Sequence, residues 1–322
     1  MQRRSLLLGA AGLLPTLAFA QTTDWPKAGA TIRYVVPFPP GGLTDVMARL
    51  VGEQLGRRWG VNVVIENKPG SGGMIGADAV AKAAPDGGTI LAVTMSHAVN
   101  ATLFKGKAPY DFQKDLKPVA LLAGSPMLVV VPANSPIQDF RALMAAAKAK
   151  PLNGGSSGNG TPPHLTLAFF NQLTGSTIQQ VPYKGGAPSM TDLIGGQLDV
   201  IFSNFPESIA HVKAGKLRAL AIASTARHPA VPDVPTTAEA GLPELQVENW
   251  TAIMAPAALP DAMAAKLAAE AVAIMKTPEM GEKAGTQGFR VDARPAAEFA
   301  RFANAEVERW AKVIAAAKIS AD

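Results

Sequence analysis

Cysteine is absent from the 322 residues of this chain. Without cysteine the protein can form no disulfide bond and no thiolate metal site, and it can use no cysteine nucleophile. Aromatic residues are also few, with 3 Tyr, 4 Trp and 12 Phe, and the lysines and arginines are scattered. Because a nucleic-acid surface combines a basic stripe with stacking aromatic rings, the composition predicts no nucleic-acid partner.

Metal and cofactor motifs are missing as well. The four histidines lie far apart in the sequence, and none belongs to a paired ligand motif such as H-E-x-x-H. Gly70-Ser71-Gly72 follows a predicted strand, but Ile75 stands where a dinucleotide-binding loop has its last glycine, and no Walker A pattern occurs. We therefore expect neither a metal nor a cofactor.

The amino terminus has the features of a secretory signal. Arg3-Arg4 precede an apolar stretch from Leu6 to Leu17, and Ala18-Phe19-Ala20 forms an A-x-A cleavage site. A transmembrane helix needs about 20 apolar residues, and this stretch is shorter. We predict a signal peptide over residues 1–20 that directs a soluble protein into the general secretory or the twin-arginine route.

Strands and helices alternate along the chain. Strands are predicted at 32–36, 62–66 and 89–94, with helices beginning near residues 43 and 74. This alternation is typical of right-handed βαβ units and a parallel sheet. The Gly- and Ser-rich stretch 153–161 is predicted as a loop. Later strands are predicted at 127–131, 178–181, 200–202, 217–223 and 250–255, and helices at 139–149, 162–173, from 189, and at 260–276, 278–286 and 295–317.

Two such sets followed by a mostly helical tail predict two lobes with a hinge between them. The chain would cross between the lobes near residues 119–126 and again near 246–254. The predicted first lobe comprises residues 21–122 plus 250–322, and the tail packs on it. The predicted second lobe comprises residues 123–249.

Four junctions between a loop and a helix are rich in glycine, serine, threonine and proline. They lie at 38–45, 67–73, 154–164 and 183–189. Glycines at such a turn let backbone N–H groups converge at a helix start, which suits a carboxylate or phosphate. Each loop taken alone is also explained by ordinary turn chemistry. If the loops face each other across a cleft, they could hold an anion together.

One motif suggests an enzyme instead. Gly154-Gly155-Ser156-Ser157-Gly158 matches the G-x-S-x-G nucleophile elbow of α/β hydrolases. The elbow should follow an apolar strand, whereas residues 148–153 do not form an apolar run, and no Asp-then-His pair has a characteristic setting. A secreted serine hydrolase acting through Ser156 remains an alternative hypothesis.

Several ordered stretches resemble the solute receptors of tripartite tricarboxylate transporters, also called Bug receptors. The likeness extends from about residue 31 to the carboxyl terminus. The matching stretches are 37–45, 48–49, 66–73, 75–77, 158–160, 164–165, 181–185, 192–199, 213–220, 232–236 and 238–241.

The resemblance implies an α/β fold of the two-lobed, type II-like periplasmic binding protein kind, in which each lobe has a mostly parallel sheet flanked by helices. Loops similar to 37–42, 156–161 and 183–186 would enclose the ligand. Carried over by position, the binding candidates are Phe38, Gly41, Gly42, Asp45, Ser157, Thr161, Tyr183, Lys184 and Asp199. Sheet topology adds Thr94 and Ser96, and a place at a helix start adds His164.

The expected function is therefore that of a monomeric periplasmic receptor with no catalytic residue. Its ligand would be a small carboxylate, meaning an amino acid, a di- or tricarboxylate, or an aromatic acid. The resemblance implies delivery of this ligand to an inner-membrane permease of the tripartite type. Signalling to a membrane sensor kinase is the other partner hypothesis.

Overall fold

The computed structural model describes residues 25–316 and 319–320. The predicted signal peptide lies outside the described residues. The strands are β1 (Thr31–Val36), β2 (Asn62–Asn67), β3 (Thr89–Thr94), β4 (Leu116–Pro132), β5 (Asn153–Ser156), β6 (Gln179–Pro182), β7 (Val200–Asn204), β8 (Leu217–Ile222), β9 (Glu248–Pro256) and β10 (Arg290–Pro295).

Helices cover the sheet and follow most of its strands. The observed bounds of the helices agree well with the predicted bounds where apolar residues recur at helical spacing over a long stretch. The helices are α1 (Leu43–Trp59), α2 (Met74–Ala81), α3 (Met95–Leu103), α4 (Phe140–Ala149), α5 (Pro162–Thr174), α6 (Gly186–Ile194), α7 (Phe205–Lys213), α8 (Asp261–Met275), α9 (Pro278–Thr286) and α10 (Ala296–Ala316).

The strands form one mixed sheet in the order β2-β1-β3-β9-β4-β7-β5-β6, with β8 and β10 also paired to β4. The trios β2-β1-β3 and β6-β5-β7 are parallel, as the βαβ pattern predicts. The antiparallel partners β4 and β9 join the two trios. The predicted α/β fold with flanking helices is thus confirmed.

Strand β4 is the element that connects the two halves. It is 17 residues long, much longer than the predicted 127–131. Up to Pro126 it pairs with β9, and from Met127 onward it pairs with β7. One strand therefore belongs to both halves of the sheet, and a local apolar run could not reveal this because the residues before Met127 include Gly124 and Pro126.

The prediction of a continuous loop over residues 153–161 is wrong at its beginning, where the chain forms β5. The strand is easily missed because two of its four residues are glycines. Their size has a packing reason: a Cβ on Gly154 would lie 2.2 Å from Leu167 Cδ1, and one on Gly155 would lie 2.5 Å from Leu198 Cδ1. Larger residues would push α5 and its neighbours off the sheet.

The helical tail packs on the half of the sheet that contains β1 to β3. Trp250 of β9 contacts Phe299 of α10 at 5.9 Å between ring centroids. Glu306 is buried there and accepts hydrogen bonds from the indole nitrogens of Trp250 and Trp310, each at 3.0 Å. A buried carboxylate with two donors ties the tail to a central strand. Among the described residues no helix is long and apolar enough to cross a membrane.

Candidate functional site

Five helices begin around one cavity at the carboxyl ends of the parallel strands. The empty space between its walls is about 400 Å³ when the part open to solvent is included, and about 20 Å³ of it can hold the centre of a water molecule. Helices α1 and α3 approach it from one half of the sheet and α5, α6 and α7 from the other. Open α/β sheets bind ligands at this edge. The residues that line the cavity are Phe38, Pro39, Pro40, Gly42, Leu43, Thr44, Thr94, Ser96, Ser157, Thr161, Pro162, Gly186, Ala187, Asn204, Glu207 and Asn249.

Two serine hydroxyls on opposite sides of the cavity are unsatisfied. Ser96 lies in the first turn of α3 and is fully buried, while Ser157 follows β5 and is 8% exposed. Neither hydroxyl has a hydrogen-bond partner among the described residues. Since buried polar groups are nearly always paired, these two hydroxyls are free to bind a ligand that enters the cavity.

A directed chain of hydrogen bonds crosses the floor of the cavity. The Thr94 hydroxyl donates to Asn249 Oδ1, and Asn249 Nδ2 donates to Asn204 Oδ1 at 2.7 Å. Asn204 Nδ2 in turn donates to Glu207 Oε1 at 3.0 Å. The chain joins β3 and β9 to the beginning of α7, so it links the two halves through buried side chains.

Glu207 lies between helix beginnings from both halves. A Cβ on Gly42 would lie 3.3 Å from its Oε1, and one on Gly186 would lie 2.1 Å from its Oε2. The backbone amide of Leu43 also donates to this carboxylate. Burial raises the pKa of Glu207 to about 7, although these hydrogen bonds act in the opposite direction. Gly186 is needed here because a side chain would occupy the space of the carboxylate, whereas a Cβ on Gly42 would only crowd it.

A wider outer chamber adjoins this inner cavity, and about 370 Å³ of it can hold the centre of a water molecule. Phe38, Pro39 and Ser157 line both spaces. Tyr183 and Lys184 line the outer chamber only, together with the glycine-rich turn at residues 70–73. The Tyr183 hydroxyl donates to Asp192 at 2.6 Å, whereas the Lys184 side chain is exposed. The inner cavity itself receives no lysine or arginine from the described part of the chain.

Two of the predicted residues support the turn before α1 from behind. Asp45 does not line the cavity; its carboxylate accepts from the backbone of Gly41 at 2.9 Å and from Arg49 and Asn67. Burial acts to raise the pKa of Asp45, but these hydrogen bonds outweigh it and lower the pKa. Gly41 adopts a φ of 81°, which favours glycine. Both residues hold the turn that presents Phe38 and Gly42.

Two other predicted residues lie away from the cavity. His164 Nδ1 accepts from the backbone of Gly160 at 3.2 Å, behind the turn, and burial lowers its pKa to about 4. Asp199 precedes β7, at the opposite end of that strand from the cavity. Its carboxylate accepts from the backbone of Asn153 at 2.7 Å. Phe38, Gly42, Thr94, Ser96, Ser157 and Thr161 line the inner cavity, and Tyr183 and Lys184 line the outer chamber.

Comparisons with known proteins agree on a family. A family model described as tripartite tricarboxylate transporter family receptor matches residues 47–319. The chain belongs to this receptor family. Protein BugT of Bordetella pertussis is 37% identical over 300 residues, which cover 88% of each chain.

Solved structures have the same fold as this receptor. An R. palustris protein solved with adipate is 34% identical with a TM-score of 0.88, and the match covers 92% of this chain and 99% of that one. MatC from Rhodopseudomonas palustris with bound malate is 32% identical with a TM-score of 0.82, and the match covers 90% and 100%. The fold is therefore that of a periplasmic binding protein.

The receptor is a binding protein and not an enzyme, as its family and structural neighbours show. The elbow residue Ser156 is fully buried at the end of β5. Its Oγ accepts from Gln180 Nε2 at 2.8 Å and from the backbone of Gly158 at 3.3 Å. These contacts make Ser156 a support for the turn that carries Ser157. Among the described residues no cluster of His, Asp or Glu could hold a metal ion.

Asn204, Glu207 and Asn249 were not among the predicted site residues of the receptor. A local signal did exist for two of them, because Asn204 precedes Phe205-Pro206-Glu207. Asparagine before a helix, proline in its first turn and glutamate at its third position are all helix-start signals. They predict α7, and the end of β7 then places Asn204 and Glu207 at the binding edge. Nothing local marks Asn249, which lies within a strand.

The pKa of Glu207 predicts how the stability of the receptor depends on pH. The folded protein keeps the proton on this carboxyl up to about pH 7, whereas an ordinary glutamate loses it near 4.5. Between these values the folded state binds more protons, so raising the pH lowers the free energy of unfolding. At about 1.4 kcal/mol per pKa unit, the loss is on the order of 3 kcal/mol. Urea unfolding at acidic and mildly alkaline pH measures it.

The variant Glu207→Gln cannot ionise and isolates this contribution from those of other groups. We expect the stability of wild type relative to this variant to be highest below pH 4.5 and to decline up to about pH 7. The control variant is Glu282→Gln, which removes a carboxylate from the exposed surface of α9. If wild type and Glu207→Gln have parallel pH profiles, the assignment to Glu207 is wrong.

Proposed function

We propose that the protein binds a small carboxylate in the inner cavity between the two halves of its sheet. The observation that carries this proposal is the convergence of five helix beginnings and two unsatisfied serine hydroxyls on one cavity. Helix beginnings and hydroxyls donate hydrogen bonds to an anion without a positively charged side chain. The two structural neighbours solved with adipate and with bound malate support an acid as the ligand.

The proposed binding mechanism is closure of two lobes. Residues 21–122 plus 250–322 would form the first lobe and residues 123–249 the second, with β4 and β9 as the crossing strands. The change of partner along β4 at Pro126 and Met127 supports a hinge there. Because Ser96 lies in the first lobe and Ser157 in the second, a carboxylate that contacts both would favour the closed form.

We expect small carboxylates to raise the thermal stability of the mature protein, which begins near residue 21. A ligand at about 100 times its dissociation constant adds roughly 2.7 kcal/mol to the free energy of unfolding. That corresponds to a rise of several degrees in the melting temperature. A thermal-shift panel of mono-, di- and tricarboxylates and amino acids measures it. If no small acid shifts the transition, the proposed function is wrong.

The wider role is uptake across the inner membrane. We propose that the protein works as a monomer in the periplasm and delivers its ligand to a permease of the tripartite tricarboxylate type, as the family description implies. Uptake of the labelled ligand by cells with and without the receptor gene tests this step. Induction of genes without any change in uptake would instead favour delivery of a signal to a sensor kinase.

A further inference from the structure

The inner cavity contains a feature that a simple anion site does not need. Glu207 is the ionisable residue among those of the described part of the chain that line the inner cavity. The same cavity offers the free hydroxyls of Ser96 and Ser157 to an acid. A second carboxylate beside Glu207 would be repelled by it or would force one of the two groups to take up a proton.

Both hydrogen bonds that the protein makes with Glu207 are donated to its carboxyl oxygens. Asn204 Oδ1 is taken by Asn249 Nδ2, so a rotated Asn204 amide would set two NH₂ groups against each other. Asn204 must therefore donate to Glu207, as the structure has it. With the amide of Leu43, two donors reach the carboxylate. Once ionised, a carboxylate accepts about four hydrogen bonds, so ionised Glu207 keeps acceptor capacity for a ligand.

We propose that the ligand is an acid with a hydrogen-bond donor, an ammonium or a hydroxyl group, which binds Glu207 while the carboxylate binds Ser96 and Ser157. This inference rests on the proposed function and narrows its substrate class to amino acids and hydroxy acids. Specificity would come from both attraction and rejection. The donor satisfies Glu207, and an acid with two carboxylates and no donor meets a like charge there.

The experiment compares acids that differ in one end group. Isothermal titration at about pH 8, where Glu207 is mostly ionised, pairs succinate, glutarate and adipate with 4-aminobutanoate, 5-aminopentanoate and 6-aminohexanoate. It also pairs alanine and leucine with the corresponding 2-oxo and 2-hydroxy acids. We expect the tightest donor-bearing acid to bind at least about tenfold more tightly than its partner without a donor, because the remaining acceptor positions of Glu207 would otherwise stay unpaired.

The variants Glu207→Gln and Glu282→Gln complete the test. We expect Glu207→Gln to reduce that ratio at least about tenfold, since its amide presents a donor and no charge, and Glu282→Gln to leave it unchanged. If wild type binds a diacid best, the inference is wrong while the proposed function stands, and this ranking does not require the variant to fold. If no acid of either kind binds, the proposed function fails together with the inference.

Discussion

Replacing Ala187 by tryptophan should abolish ligand binding and leave the protein folded. Ala187 is exposed, is the second residue of α6 and lines the inner cavity. An indole at this place would occupy the narrow inner cavity, of which about 20 Å³ can hold the centre of a water molecule. We expect the dissociation constant of any acid found in the thermal-shift panel to rise by about a hundredfold or more, because a binding cavity encloses most of its ligand.

The chain offers a matched control for this substitution. Ala262 is likewise exposed and is the second residue of its helix, α8, but it does not line the cavity. Surface substitutions of this kind change stability by about 0.5 kcal/mol or less. Ala262→Trp should therefore bind ligand as wild type does. Equal affinities for Ala187→Trp and wild type would show that the ligand binds outside the inner cavity.

The second large effect concerns folding: Gly288→Ala should remove more than about 3 kcal/mol from the free energy of unfolding. Gly288 has a φ of 82° and lies between α9 and β10. A Cβ there would lie 1.9 Å from Cδ1 of Phe205, the buried first residue of α7. The ring is fully buried and contacts His228 at 4.5 Å between centroids, so the variant adds overpacking to backbone strain.

A substitution at Gly106 separates overpacking from backbone strain. Its φ of 77° is nearly the same, but a Cβ there would meet nothing within 4 Å. Gly106→Ala should therefore cost only the strain of the left-handed conformation, about 1 kcal/mol. Chemical unfolding of both variants measures the difference. Equal losses would mean that Phe205 adjusts freely and does not fix the beginning of α7.

If Gly288→Ala folds at low temperature, its ligand affinity also becomes informative. Phe205 precedes Glu207 by two residues in the first turn of α7. Displacement of the ring should move the carboxylate relative to Asn204 and Leu43. A ligand whose donor binds Glu207 should then lose affinity in Gly288→Ala and keep it in Gly106→Ala.

Local signals in the sequence determined a large part of this protein. Helical periodicity and the Pro-Gly turn at residues 37–42 predict β1 and α1, and alternation of strands with helices predicts the α/β fold. The resemblance to the receptor family selected Phe38, Gly42, Ser157 and Thr161 within the loops 38–45 and 154–164. The loops themselves are predicted by the same local signals. These signals succeed because turn chemistry and periodicity depend on residues within a few positions of each other.

Only the tertiary structure decided which of these residues reach the cavity and which stand behind it. Thr94 meets Asn249 across 155 positions, and Asn249 meets Asn204 across 45. No local pattern encodes such pairs, since they form only when β4 and β9 bring the two halves of the sheet together. For the same reason Asp45 became a support for a turn, while Glu207, which the sequence marked only as part of a helix start, lies in the cavity.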